Sequence, residues 1–370
     1  MSPGKQRLIA LLAVATLMLP AHALAGEFAQ ANALARQFVR TTMREQRIPG
    51  LQVAVVKDHK IVWSESYGLA NVENKLPATR DTLFPLNSAT KAFTGVAVMQ
   101  LAQAGLVDLQ APVSKYLDDL PQAWRSIRVR QLLAHTSGLP DLLDEQGLIG
   151  DGTEPGAWAA VQQLPMAAAA GERFAYNQTN YVLLARIIAK QSGMTYAQYL
   201  RARQFAVAGM PASTFGDSYD LTANAATMYS WLPRKSDAKG QAERLSHWFY
   251  DVPPTLWSGA GIQTTADDMA RWMLALTDGR LMPAEAIQAM WAPETLNDGS
   301  VGDWAAGWPL LGTPDHRQVA GMGGARAAFI VYPEDNLAVI VLTNLVGANP
   351  QNFIPGIAAF YRTGPLAKAN

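Results

Sequence analysis

The sequence predicts an α+β fold: an antiparallel sheet flanked by terminal helices, with a mostly helical lobe inserted into it. Three observations carry that prediction. Near the start, residues 51–57 and 60–67 are rich in β-formers and are separated only by Asp58-His59, the pattern of a hairpin. Near the end, residues 326–332 and 337–344 form a second strand pair around Pro333-Glu334-Asp335-Asn336. Between the two pairs the chain reads mainly as helices and loops. An isolated hairpin is only marginally stable in water, so both pairs belong to one sheet assembled from the two ends of the chain. The expected division is a terminal α/β lobe over 26–84 and 281–365, with the helical lobe over 85–280.

Each element has a local reason. Residues 1–25 hold Lys5 and Arg7, an apolar run over 8–19, and Ala23-Leu24-Ala25 before Gly26. That is the pattern of a secretory signal cut between Ala25 and Gly26, because the apolar run is short for a membrane span. An uncleaved anchor is the less favoured reading. A periplasmic or secreted protein is expected, without stable membrane insertion after cleavage. Residues 27–46 follow as an amphipathic helix with Phe28, Leu34, Ala35, Phe38, Val39 and Met43 on one face, stopped by Ile48-Pro49-Gly50.

Beyond the hairpin, Phe93, Val96, Ala97, Leu101 and Ala104 recur near the 3.6 period of a helix that Ser88 opens and Gly105 closes. A helix over 180–190 carries Val182, Leu183, Ile187 and Ile188. Another over 266–276 follows Thr265, with Asp268 as the reaching residue of a capping box, and Asp278-Gly279 ends it. Segments 141–156 and 212–260 have no clear period and read as long loops, either functional or solvated. Residues 350–361 read as a closing helix.

Composition narrows the function. The chain has 30 basic and 30 acidic residues, and 28 against 30 once Lys5 and Arg7 leave with the signal. This balance carries no footprint for nucleic acid or an anionic membrane. Cysteine is absent, which excludes disulfides, a lipidated cysteine and a thiol nucleophile. No His-Glu-x-x-His, phosphate-binding loop or clustered ligand set occurs, so neither a metal nor another cofactor is expected. The lack of a Gly-x-Ser-x-Gly elbow disfavours an α/β-hydrolase.

Chemistry points to Ser88 and Lys91. Three apart, they share one helix face, and Ser88 stands where free N–H groups favour developing negative charge. A serine that attacks a carbonyl needs a neighbouring base and a place for the oxyanion. Ser-x-x-Lys also occurs at Ser2/Lys5, in the signal, and at Ser236/Lys239, in a polar loop; only Ser88 opens an apolar helix. Taken alone, the motif is balanced by the reading of Ser88 as a plain N-cap.

Three more segments change the balance: Leu132-Leu133-Ala134-His135-Thr136-Ser137-Gly138-Leu139, Gly171 through Tyr181 with Tyr176-Asn177-Gln178 at its centre, and Gly321-Met322-Gly323-Gly324-Ala325-Arg326. In this order, across nearly the whole mature chain, they resemble the serine β-lactamase and penicillin-binding-protein superfamily. The resemblance is to the branch that holds class C β-lactamases, D-aminopeptidases and related esterases. It implies a β-lactamase/transpeptidase-like fold, an acylated Ser88, Lys91 helping to deprotonate it and stabilising charge in the site, and Tyr176 as general base or proton shuttle. It further implies an oxyanion hole from the backbone N–H groups of Ser88 and Ala325, with Gly323 and Gly324 letting substrate approach the strand. Gln178 stands where the family has Asn. Met322 stands where the family has Lys or His and cannot donate a hydrogen bond, which argues against efficient turnover of β-lactams or carboxylate-terminated peptides. Arg326, four residues on and on the same strand face by the period of two, is the candidate replacement cation.

The expected activity is therefore that of an exported serine hydrolase forming an acyl-enzyme on Ser88 with an ester or amide. Alternatives are a β-lactamase or D-amino-acid peptidase acting on cell-wall-type substrates, and a non-catalytic ligand-binding module of the same fold. The partner is a small-molecule or peptide substrate, and the oligomeric state is left open. His135 reads as a structural turn residue and Tyr181 as core. Trp231, Trp248 and Trp257 either wall a cleft or pack.

Overall fold

A computed structural model describes residues 27–233, 243–313 and 316–362. The signal segment and the Ser236/Lys239 motif lie outside the described residues. In chain order the principal elements begin with helix α1 (Ala29–Glu45) and strands β1 (Gly50–Lys57), β2 (Lys60–Asn71) and β3 (Leu76–Pro77). Helices α2 (Lys91–Gln103), α3 (Thr179–Ser192) and α4 (Ala266–Thr277) make up much of the inserted part. The chain then returns through β4 (Leu310–Thr313), β5 (His316–Gly323), β6 (Ala327–Tyr332) and β7 (Leu337–Thr343) to α5 (Ile354–Ala359).

The sheet has seven strands in the order β4-β5-β6-β7-β1-β2-β3, so the two ends of the chain meet at the β1–β7 ladder. Every neighbouring pair is antiparallel. Asp58 and His59 both adopt positive φ, 48° and 60°, as a two-residue hairpin loop between right-twisted strands requires. β1 is buried along its whole length because both faces of the sheet are covered. Val53, Val55, Val339 and Val341 pack under α1 and α5, while Ala54, Val56, Ile340 and Leu342 face the helical lobe. The period of two thus divides one apolar run between two cores.

α1 buries Ala35 and Val39 as expected, but Leu34 is 43% exposed and leaves the packing face. α2 is not amphipathic: from Lys91 to Met99 every residue is buried, since this helix runs through the middle of the lobe. Trp272 of α4 stacks on Phe93 of α2 at 3.9 Å and on Trp308 at 5.8 Å, which ties the lobe to the sheet. Fully burying such a ring is worth on the order of 3 kcal/mol.

The capping box at α4 is only half formed. Thr265 Oγ1 accepts from Asp268 N at 3.1 Å, but the Asp268 carboxylate accepts from Ala212 N, Ser213 N and Ser213 Oγ instead. Three donors gathered at one point outcompete a single backbone N–H. Segment 141–156 and the described residues of segment 212–260 are more structured than their composition suggests. They contain the hairpin Leu143–Asp144/Gly147–Leu148 and short strands that join small sheets at Thr214–Phe215, Tyr229–Ser230 and Ser246–His247.

Candidate active site

Ser88 lies in the 3-10 turn Asn87–Thr90, which leads directly into α2. Asn87, just before it, is held at φ 46°, a left-handed conformation that asparagine tolerates better than most residues. The end of β5 is pressed against this turn. A Cβ on Gly323 would lie 1.7 Å from the Leu86 carbonyl oxygen, so only glycine allows the approach.

Lys91 is fully buried one helical turn on. Its Nζ donates to Gln178 Oε1 at 2.9 Å and to the Gly259 carbonyl at 3.0 Å. The same nitrogen lies 4.7 Å from the centre of the Tyr176 ring and 5.0 Å from that of Tyr181. Tyr176 Oη donates to Ser88 Oγ at 2.9 Å. The tyrosine is 39% exposed as a residue, while its hydroxyl donates to Ser88 and its ring faces Lys91 Nζ. Burial by itself would raise the phenol's pKa. The Lys91 charge, with hydrogen bonds to Lys91, Ser88 and Gln178, outweighs burial and brings it below its ordinary value.

Spacing pointed to Ser88 and Lys91, and the family resemblance implied Tyr176; the fold brings the three together and adds what holds them. His135, buried at φ 56°, accepts through Nδ1 from Asn177 N at 3.2 Å, and Asn180 Nδ2 lies 3.1 Å from the same nitrogen. Its ring centroid lies 4.3 Å from that of Tyr176, so the imidazole braces the tyrosine's loop from beneath. Burial, then repulsion from Lys91, pushes its pKa well below the usual value. Tyr181 is core, donating to the Leu133 carbonyl at 3.1 Å. Of the three tryptophans considered, Trp248 lines a groove, Trp257 stacks on Phe215 at 5.2 Å and Trp231 packs under the Arg47 guanidinium at 4.1 Å.

Sequence reasoning missed Asp141, which accepts from Gln178 N at 2.9 Å, and Trp304, whose ring lies 5.6 Å from Tyr176. It also missed Gly259, where a Cβ would fall 3.1 Å from Lys91 Nζ. A residue prone to the left-handed region directly before a candidate nucleophile was the one available signal, at Asn87.

The third segment needs two corrections. Met322 does not face Ser88: it packs with Ala320 on the α1/α5 side, and Gly321 and Gly323 occupy the other face. The Phe329 ring fills the space over Gly321, where a Cβ would lie 2.1 Å from it. The nucleophile's side of β5 therefore presents no side chain at either position. Arg326 does not continue the strand's alternation, because Gly324 and Ala325 both have positive φ and turn the chain into β6. Arg326 is 5% exposed; its guanidinium donates weakly to Asn87 Oδ1 at 3.3 Å and lies 4.8 Å from the Tyr250 ring centre. Burial lowers its pKa to about 10, against an opposing effect of Tyr250. It is sealed behind the turn and is not displayed on the strand face. Among the described residues no group of three or more His, Cys, Asp or Glu could hold a metal ion.

The model of the family described as Beta-lactamase matches residues 35–359 of this chain. The chain belongs to that family. It is 27% identical over 325 residues to Protein flp of Staphylococcus aureus strain MW2, covering 82% of this chain and 61% of that protein. It thus spans less than two thirds of that relative's length. Its fold matches a penicillin-binding protein from Bacillus halodurans with a TM-score of 0.72 and 27% identity, over 87% of this chain and 98% of that one. A class C β-lactamase shares the fold at a TM-score of 0.74, with 21% identity over 90% and 96% of the two chains. The β-lactamase/transpeptidase-like α+β fold follows from these matches.

Proposed function

We propose that the protein is an exported serine hydrolase that forms an acyl-enzyme on Ser88 with an ester or amide, esters being preferred. The observation that carries this reading is the Tyr176 Oη–Ser88 Oγ contact of 2.9 Å beneath a buried lysine. With its pKa lowered, Tyr176 as phenolate takes the Ser88 proton while Oγ bonds to the substrate's carbonyl carbon. The tetrahedral intermediate then expels the alcohol or amine, which leaves with the proton from Tyr176. Water repeats the sequence on the acyl-enzyme, giving its proton to Tyr176 and releasing the acid and free Ser88. Lys91 offsets the phenolate charge throughout.

The oxyanion donors in this reading are the N–H of Ser88 and that of Gly324 rather than Ala325. Ala320 N bonds outward to Pro309 O, and alternation places the amides of Met322 and Gly324 on the same strand edge. Ala325 lies past the strand, its carbonyl accepting from Gly347 N and Asn349 N. The ester preference is supported by the empty face at Gly321 and Gly323, which offers no cation to a substrate carboxylate. Similarity to a penicillin-binding protein favours a second reading, action on cell-wall-type peptides or β-lactams. Export is supported by Lys5, Arg7, the apolar run over 8–19 and Ala23-Leu24-Ala25; N-terminal sequencing of the exported protein should begin at Gly26.

Intact mass after incubation with an activated ester, and separately with a penicillin, tests the mechanism. An ester adduct present in the native protein and absent in Ser88→Ala is the expected result. A penicillin adduct alone would select the second reading. No adduct in folded protein would leave a binding module.

A further inference from the structure

A groove of about 440 Å³ lies beside the nucleophile turn. Its floor includes Pro85, three residues before Ser88, and Gln263, which pairs with Pro85 across a short sheet. One wall, Tyr250, touches the Arg326 guanidinium that donates to Asn87. The groove is thus connected to the turn that carries Ser88 through Pro85 and through the Tyr250–Arg326–Asn87 contacts, although Ser88 does not line it.

The lining is rich in acceptors. Glu73, Asp217 and Asp220 contribute carboxylates; no lysine or arginine is among its lining residues, and the one basic side chain there, His247, sets its Nε2 2.7 Å from Glu73 Oε1. Arg326 is kept behind Tyr250. Gln263, 2% exposed, has an Oε1 with no partner, while its Nε2 donates to the Asp217 carbonyl at 3.2 Å. That hydrogen bond fixes which end of the amide is the orphan acceptor. The acidic character extends beyond the lining. Burial raises the pKa of nearby Asp251, and repulsion from Asp217 raises it further.

The remaining surface is aromatic. Trp248 and Phe249 line the groove, and Phe249 remains 63% exposed with Tyr219 ring-to-ring at 6.3 Å. Exposed aromatic surface beside carboxylates fits a cation on an apolar stem, which gains from both ring faces and charge.

We propose that this groove selects substrates bearing an ammonium-type cation on an apolar stem. The inference rests on the serine-hydrolase reading and deepens it by naming the substrate class. The test uses two isosteric ester pairs at pH 8. One differs in the acyl part, 4-nitrophenyl 4-(trimethylammonio)butyrate against 5,5-dimethylhexanoate. The other differs in the alcohol, butyrylcholine against 3,3-dimethylbutyl butyrate.

In one pair the cation should raise kcat/KM about tenfold, with the advantage shrinking as salt screens it. The ratio should fall towards one in Glu73→Gln/Asp220→Asn. Both substitutions keep the shape and an acceptor oxygen for Tyr229 Oη and Asp217 N, and circular dichroism checks the fold. Ratios near one in both pairs, or a preference surviving the double substitution, would overturn the proposal while leaving Ser88-dependent hydrolysis standing. If no ester is turned over, the hydrolase reading fails separately. Tryptophan fluorescence then decides between choline and 3,3-dimethylbutanol. Selective choline binding that is lost in the variant upholds the groove; equal or absent binding overturns it.

Discussion

Two buried cations lie near Ser88, and they are housed in opposite ways. Lys91 has two oxygen acceptors within 3.0 Å and two aromatic rings around its nitrogen. Arg326 has one hydrogen bond of 3.3 Å and the face of Tyr250, while its Nε and Nη1 are buried without partners. Neither is salt-bridged to a carboxylate among the described residues. A buried charge that is well hydrogen-bonded can be held for chemistry. An under-bonded one drains stability. Under the proposed mechanism, the contrast separates a cation that serves the reaction from one that only props the turn beside Ser88.

Lys91→Met should sharpen the contrast most. We expect hydrolysis to fall by about a thousandfold, and Gln178 Oε1 and Gly259 O, now unpaired, to cost about 2 kcal/mol of stability. Arg326→Met should do the reverse: activity within a few-fold of native and stability unchanged or raised by about 1 kcal/mol. Urea melts with steady-state kinetics read both. Equal activity losses in the two variants would break the distinction.

Tyr176→Phe should lower kcat by about a hundredfold or more. In the native protein kcat/KM should rise with pH through an apparent pKa below that of an ordinary tyrosine, because the base must be deprotonated. That rising limb should vanish in the variant.

The last expectation concerns His135, which braces Tyr176 while staying neutral. Its folded pKa is depressed, so its contribution to stability is complete above the unfolded pKa of about 6.5 and declines below it, where only the unfolded chain takes the proton. From pH 7 to pH 5 this should remove up to about 2 kcal/mol. His135→Asn, which suits the positive φ, should show a shallower decline in urea melts over the same range.

Much of the site was legible because its spacing is local. Ser88 and Lys91 share a face at three residues' separation, and Tyr176-Asn177-Gln178 is a continuous segment. Their convergence is tertiary, yet the match of several ordered segments announced it. The hairpin across Asp58-His59 was legible for the same reason: β-formers flank a loop short enough to need positive φ. The orientation of β5 was not legible. Which face of a strand meets the nucleophile depends on a register set by pairing with β6, and shifting that phase by one residue exchanges Met322 for Gly321. Alternation also misled at Arg326, because two successive positive-φ residues ended the strand between it and Met322.

By itself, then, the sequence determined the core of the candidate site and the sheet's closure from both ends of the chain. These rest on local spacing and on apolar runs too long to leave exposed. The tertiary structure alone decided which groups were buried unpaired, where Asp268 spent its carboxylate, and that the groove beside Ser88 is acidic and aromatic. Those outcomes depend on donors, acceptors and rings brought together from distant parts of the chain, and no local pattern records such meetings.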